Sequence, residues 1–380
     1  MDRILEKNGQ RTPWWSWEPE DFQRSGVSRE LPRLAAAELR ERFDREKGGF
    51  EGLTEEREDC VLLFLLEYAR RAGDDWARAM AEVTLERRGG HGGGLLAYAS
   101  LEAYAQTGRP EYRETACGIL DDALEELRMS GGCFARPGED AVSAAWNAQM
   151  IAALAKGSRV LGGERYLRAA KEARLYLKAR LEQSGGRLAD YGFYCWALLE
   201  LYEADYSVSC LRDAEGLADR MADIFRDRQG GLFEFDDPAA GSGAAGLALV
   251  RLARLTAVER YRDMARDHLA WLAGEGWEKL EGLGLLGMVE ELWPRRELVC
   301  AAAGGVPAWL APVSEEYRLA ALAKTWDNSR ELEDAVPCVR EFPVPEAGTR
   351  LYLCRDGVCE AAAEGLSQLY ERLIAEGVAV

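Results

Sequence analysis

Histidine is nearly missing from this chain: among 380 residues only His91 and His268 carry an imidazole. None of the nine cysteines (Cys60, Cys117, Cys133, Cys195, Cys210, Cys300, Cys338, Cys354 and Cys359) belongs to a Cys-x-x-Cys pair. The nearest two, Cys354 and Cys359, have four residues between them and no second pair elsewhere, which is not a zinc spacing. No metal and no cofactor is therefore expected, and the thiols read as reduced, mostly buried and structural. No apolar run reaches the roughly 18 residues of a membrane span. The start, MDRILEKNGQRTPWW, lacks the apolar core and small-residue cleavage site of a signal peptide, so a cytoplasmic protein is the expectation. A basic excess is absent too. Lys+Arg number 48 against 66 Asp+Glu, a net charge of −18, which argues against a broad phosphate-binding surface.

Glycine, by contrast, is abundant and regularly placed. Gly-Gly pairs open at Gly48, Gly89, Gly131, Gly185 and Gly230, and a sixth glycine-rich stretch runs from Gly274 to Gly282. The steps of 41, 42, 54 and 45 residues mark a repeat architecture. The segment before each pair is amphipathic. In the sixth, Tyr261, Met264, Ala265, His268, Leu269 and Leu272 form one apolar stripe. The segment after each pair is apolar nearly all round, as in CVLLFLLEYA (60–69), GLLAYASLEAYA (94–105) and YGFYCWALLELY (191–202). Such a helix must be enclosed by others. Six wet-faced helices alternating with six enclosed ones predict a mainly α protein, a toroid of six inner helices ringed by six outer ones. The competing layout, a right-handed solenoid of hairpins, exposes one face of every pair.

Three regions follow: an N-terminal arm (1–29) with Trp14, Trp15 and Trp17, the toroid (30–294), and a small α/β appendage (295–380). The arm's tryptophans are expected over the ring mouth or against a partner chain. In the appendage RRELVCAAAG (295–304) reads as a buried strand and EEYRLAALAKTW (315–326) as a helix. TRLYLCRDGVCE (349–360) reads as a hairpin turning at Asp356-Gly357, and the last stretch as an amphipathic helix.

The Gly pairs all sit where an outer helix turns into an inner one, so the inner-helix N-termini and their positive dipole ends share one face. A functional site is expected in that mouth. The residues delivered there include His91, Phe134, Trp146, Asn147, Asp190, Tyr191, Phe233, Glu234 and Asp236. Aromatic rings beside carboxylates suit sugars, whose apolar faces stack while hydroxyls bond to carboxylates. On this reading Trp146, Asn147, Tyr191, Phe134 and Phe233 bind ligand, and Asp190, Glu234, Asp236 and His91 are the catalytic candidates. The plainer reading is that each loop Phe plugs its hairpin into the core and that Asp190 caps the following helix. His268, on an apolar stripe, reads as packed, so a catalytic histidine pair is not expected. Hydrolysis would need two carboxylates facing each other across the scissile bond.

Four blocks, AAWNAQMIAALAKGSRVLGGERYLRAAKEA (144–173), LADYGFYCWALLELYEA (188–204), FRDRQGGLFEFDD (225–237) and LYLCRDGVCEAAAEGLSQLYERL (351–373), occur in that order in one family. Over residues 30–380 the chain resembles the thioredoxin-domain-containing proteins that include the animal spermatogenesis-associated members. The resemblance implies an (α/α)6 toroid akin to N-acylglucosamine 2-epimerases and cellobiose epimerases, with a small C-terminal segment. It also implies that Trp146-Asn147, Asp190-Tyr191 and the Glu234/Asp236 loop hold the family's pocket-facing positions, and that His91 matches its loop histidine. Two features depart from the family. Only about 30 residues precede the first helix, with no Cys-x-x-Cys anywhere, so no thioredoxin activity is implied. The segment that the family inserts after the second glycine loop is missing. The expected function is a degenerate toroid that binds a carbohydrate-like ligand, or a protein partner such as a thioredoxin-like domain in trans. The alternative is a carbohydrate-active hydrolase or lyase, or an epimerase. Neither nucleic acid nor membrane is an expected partner.

Overall fold

The computed structural model describes residues 29–375 except 91, 139–141, 227–230, 233–239, 276, 294 and 356–357; for 240, 275 and 277–281 it describes the backbone alone. Outer helices α1 (Glu30–Arg42), α3 (Asp75–Arg88), α5 (Pro110–Asp122), α7 (Glu164–Ser184), α9 (Val208–Phe225) and α11 (Glu259–Glu275) alternate with inner ones. The inner helices are α2 (Glu55–Ala72), α4 (Gly94–Thr107), α6 (Ala144–Val160), α8 (Leu188–Asp205), α10 (Ala240–Thr256) and α12 (Trp277–Leu292). Each inner helix packs on the next, and α12 packs back on α2. That contact closes the ring and excludes the open solenoid. The first outer helix, α1, packs on α12 and so covers the place where the ring closes.

Burial follows the sequence pattern. On α8 every residue from Tyr191 to Glu203 is buried, whereas α9 buries one stripe, Val208, Leu211, Ala214, Leu217, Ala218 and Met221. Glycines let the inner helices meet at backbone distance. A Cβ at Gly94 would lie 2.5 Å from the Gln149 carbonyl carbon, one at Gly192 2.7 Å from the Ala245 nitrogen, and one at Gly282 2.0 Å from the Cys60 carbonyl.

Three outer-to-inner loops share one construction. Single β-bridges join Phe43 to Phe50, Arg128 to Phe134 and Arg226 to Leu232, each bridge spanning a glycine pair. Gly48 and Gly49 take φ of +69° and +84°, which a Cβ would disfavour. The residue one or two places after the pair is a buried plug, and its N–H donates to a side chain. Phe50 donates to Glu58 Oε1 (2.9 Å), Phe134 to Asn147 Oδ1 (2.8 Å) and Leu232 to His268 Nδ1 (3.1 Å). His268 is fully buried and its Nε2 donates to the Ser242 carbonyl at 2.9 Å, so its role is packing, as expected.

The C-terminal unit corrects two expectations. Residues 315–326 are not one helix: α13 (Leu310–Glu316) ends early and β2 (Leu319–Thr325) runs parallel to β1 (Arg296–Ala302). All seven residues of β2 are buried. A parallel strand covered on both faces reads as a continuous apolar run, which periodicity cannot tell from a buried helix. The sheet order is β2-β1-β3-β4 with β3 (Thr349–Arg355) antiparallel to β1, to β4 (Val358–Cys359) and to β5 (Ala363–Glu364). The second correction concerns the thiols. Cys354 and Cys359 form a disulfide, because the β3–β4 register sets them directly opposite with Cα atoms 4.0 Å apart. Cys117, Cys133, Cys195, Cys210, Cys300 and Cys338 are free thiols. The amphipathic C-terminal helix, α14 (Leu366–Ala375), is as expected, and Asp356-Gly357 lies outside the described residues.

Candidate functional site

The ring has two different ends. At the inner-helix C-termini a floor of buried charge meets the C-terminal unit. Glu200 on α8 is its hub, 1% exposed. Its carboxylate accepts from Tyr98 Oη (2.5 Å), Trp196 Nε1 (3.0 Å), Arg159 Nη2 (2.6 Å) and Arg251 Nη1. Arg251 also grips Glu290 with two nitrogens. Lys156 and Arg159 on α6 reach Glu315 on α13 at 2.6 and 3.0 Å. Arg318, between α13 and β2, donates to Glu102 at 2.6 Å, and Arg295 donates to Glu203 at 2.8 Å. The appended unit thus plugs the ring electrostatically. The central space left, lined by Leu63, Leu66, Tyr98 and these charges, is about 30 Å³, room for one or two waters.

This floor predicts acid sensitivity. Burial opposes ionisation of Glu67, yet Arg70, Arg71 and Arg318 outweigh it and hold the group down to about 2, against an ordinary 4.5. Lys156 and Arg159 likewise outweigh burial at Glu315, also at about 2. Depressed carboxylates contribute stability that is present above their unfolded value and lost as pH falls through the folded one. The urea midpoint is expected to fall steadily from pH 5 to pH 2.5; a constant midpoint over that range contradicts the ion-paired floor.

The other end, the mouth, is where the sequence placed the site. Four of its candidates, His91, Phe233, Glu234 and Asp236, lie outside the described residues, as do Trp14, Trp15 and Trp17. Phe134 and Tyr191 are core residues at 0% and 1% exposure, and Trp146 is at 7%. Trp146 lies under the second glycine loop, where a Cβ at Gly93 would come within 2.8 Å of its Nε1. The Asn147 amide clamps the Phe134 loop, accepting from Phe134 N and donating to the Phe134 and Ser143 carbonyls. Asp190 ties two inner helices together. Its Oδ2 accepts from Arg187 N at the start of α8, and its Oδ1 from Ala145 N at the start of α6, both at 2.9 Å. That is a capping role carried across to the neighbouring helix.

Two mouth residues were missed from the sequence. In the first turns of α2, Glu56 accepts from Gln149 Nε2 and from Arg136 Nη2, both at 3.4 Å. Three residues on, Asp59 is buried with Arg88 Nη1 3.2 Å from its Oδ1, although the contact is not aligned as a hydrogen bond and Oδ1 makes none. Burial pushes Asp59 up to about 7 against the pull of Arg88, and Glu58, Glu55 and Glu56 add to the rise. The available signal was EREDC, acids three apart immediately before an unbroken apolar run.

Among the described residues no group of three His, Cys, Asp or Glu is arranged to hold a metal ion, and no helix is long and apolar enough to cross a membrane. A groove of about 790 Å³ between α9 and α11 is lined by acids and arginines already paired with one another, Arg226 with Asp267 and Arg260 with Asp219.

No family model and no curated protein matches the chain, and the thioredoxin-domain resemblance finds no support in these comparisons. Solved structures do match. An α-1,6-mannanase from a Salegentibacter species superposes with a TM-score of 0.59 at 16% identity, over 70% of this chain and 99% of that one. A variant of that mannanase described as inactive, with two adjacent aspartates replaced, was solved with α-1,6-mannotriose. An unsaturated glucuronyl hydrolase from a Bacillus species gives 0.54 at 14% identity, over 71% of this chain and 95% of that one. A sugar epimerase from a ruminal bacterium gives 0.51 at 11%, over 71% and 98%. At these identities the likeness is one of fold, and the fold is the six-hairpin α/α toroid.

Proposed function

We propose that this chain is a carbohydrate-binding toroid whose ligand enters at the inner-helix N-termini and is held there without turnover. Asp190 carries the reading. Both oxygens of this predicted catalytic carboxylate are bound to backbone N–H groups, which supports a structural role in place of proton transfer. The sealed floor leaves the mouth as the end for a ligand, and its polar groups, Glu56, Gln149 and Arg136, suit a hydroxyl-rich one. Similarity in fold to carbohydrate-active proteins supports the same ligand class. A second reading, a glycoside hydrolase, has one specific observation behind it. The mannanase variant is inactive with two adjacent aspartates replaced, and Asp236-Asp237 is such a pair in the sequence between α9 and α10.

The test is a thermal-shift measurement with α-1,6-mannotriose, cellobiose and N-acetylmannosamine at high concentration. A bound ligand stabilises by RT ln(1 + [L]/Kd), so millimolar affinity registers. At least one sugar is expected to raise Tm in the wild type and not in Glu56→Ala. No shift from any of the three counts against the reading. Release of mannose from an α-1,6-linked mannan, abolished by Asp236→Asn, would favour the hydrolase instead.

A further inference from the structure

Asp59, Leu63 and Leu66 recur at i, i+4 and i+7 on α2 and so share one face. Leu63 and Leu66 line the central space of the ring; Asp59 is therefore on the same side, one and two turns closer to the mouth. It is 5% exposed, and its Oδ1 accepts no hydrogen bond although Arg88 Nη1 stands 3.2 Å away as an ion-pair partner. Among the described residues the charged groups around it are Glu55, Glu56 and Glu58 from its own helix and Arg88 from the end of α3; the first-turn side chains of α12, which packs on α2, lie outside those residues. Arg88 is shared: its Nη1 also donates to the Glu55 carbonyl at 3.3 Å and to Glu58 Oε2 at 3.5 Å. The start of α4, Gly94-Leu95-Leu96, adds no charge. A buried carboxyl among three acids and one divided arginine favours its neutral form, in which it has an O–H to donate.

We propose that Asp59 is a ligand-contacting group of the mouth that acts in its protonated form, donating its O–H to an oxygen of a neutral sugar while Glu56 accepts from a sugar hydroxyl. The proposal rests on the carbohydrate-binding reading and adds to it a proton linkage that the reading does not require. Ligand bound to the protonated form holds that proton in place, so affinity falls by roughly tenfold per pH unit once Asp59 ionises in the free protein. The upward displacement of Asp59 to about 7 puts the onset of that fall near neutrality.

The experiment is calorimetric titration of α-1,6-mannotriose, cellobiose and N-acetylmannosamine into the full chain at pH 5.5 and pH 8.5, for the wild type and for Asp59→Asn. Asparagine keeps an N–H donor and cannot ionise. The expected result is wild-type affinity at least tenfold weaker at pH 8.5, with Asp59→Asn binding alike at both pH values. Equal wild-type affinity at the two pH values overturns the proposal and leaves the carbohydrate reading standing. A pH dependence that persists in Asp59→Asn also overturns it, since another group then carries the proton. No binding of any of the three sugars at either pH overturns both. Should Asp59→Asn fail to fold, the wild-type pair of titrations still decides against the proposal or for it, with the Asp59 carboxyl pKa read by carbon NMR to assign the group.

Discussion

Glu200→Ala is expected to lower stability by about 3–5 kcal/mol, the usual cost of leaving buried charge uncompensated. Glu200 is where α4, α6, α8 and α10 meet electrically, through Tyr98, Arg159 and Arg251. Removing it leaves two guanidiniums facing each other in a space that admits only one or two waters. Arg159 and Arg251 keep Glu315 and Glu290 as partners, which prevents complete loss of the fold. Burial disfavours a charge on Glu200, yet Arg159, Arg251 and Lys156 hold it well below the usual carboxylate range. Urea denaturation checks the prediction, with Glu200→Gln expected to fall between wild type and alanine. A loss under about 1 kcal/mol for Glu200→Ala contradicts the hub.

Gly282→Ala is the second large effect, a loss of about 1–3 kcal/mol and toward the upper end. The new Cβ would meet the Cys60 carbonyl at 2.0 Å and Val61 N at 2.3 Å. These are backbone atoms, so α12 and α2 must move apart, and theirs is the contact that closes the ring. The better helix propensity of alanine, about 1 kcal/mol, offsets only part of this. Gly216 on α9 supplies the control. A Cβ there meets nothing within 4 Å, so Gly216→Ala should stabilise by roughly 0.5–1 kcal/mol. Equal behaviour of the two variants would contradict close packing of the inner ring.

Much of the toroid was legible because its signals are local. A glycine pair reports a chain reversal, and the contrast between striped and wholly apolar helices reports which ring a helix joins. The charged floor was half legible. Each inner helix called apolar carries a charge in its C-terminal half: Glu67, Glu102, Lys156, Glu200, Arg251 and Glu290. Their partners are far along the chain, Lys156 with Glu315 and Arg318 with Glu102, and pairings at that separation leave no pattern in a single sequence. The strand at 319–325 was hidden because burial on both faces erases periodicity. Around the mouth, residue type was read as chemistry where geometry decides. Asn147 and Asp190 are the residue types of a binding site, but their hydrogen bonds go to Phe134, Ser143, Arg187 and Ala145. Asp59 immediately precedes the apolar run at 60–69, and only its burial beside a shared arginine distinguishes it.

The most direct test of a ligand-binding mouth above a sealed floor is hydrogen–deuterium exchange of the full chain with and without saturating sugar, using whichever of the three sugars gives the largest thermal shift. Protection is expected in peptides covering 52–60, 131–149 and 185–192, with no change at 310–320. Protection confined to 310–320, or to the groove between α9 and α11, would contradict the account.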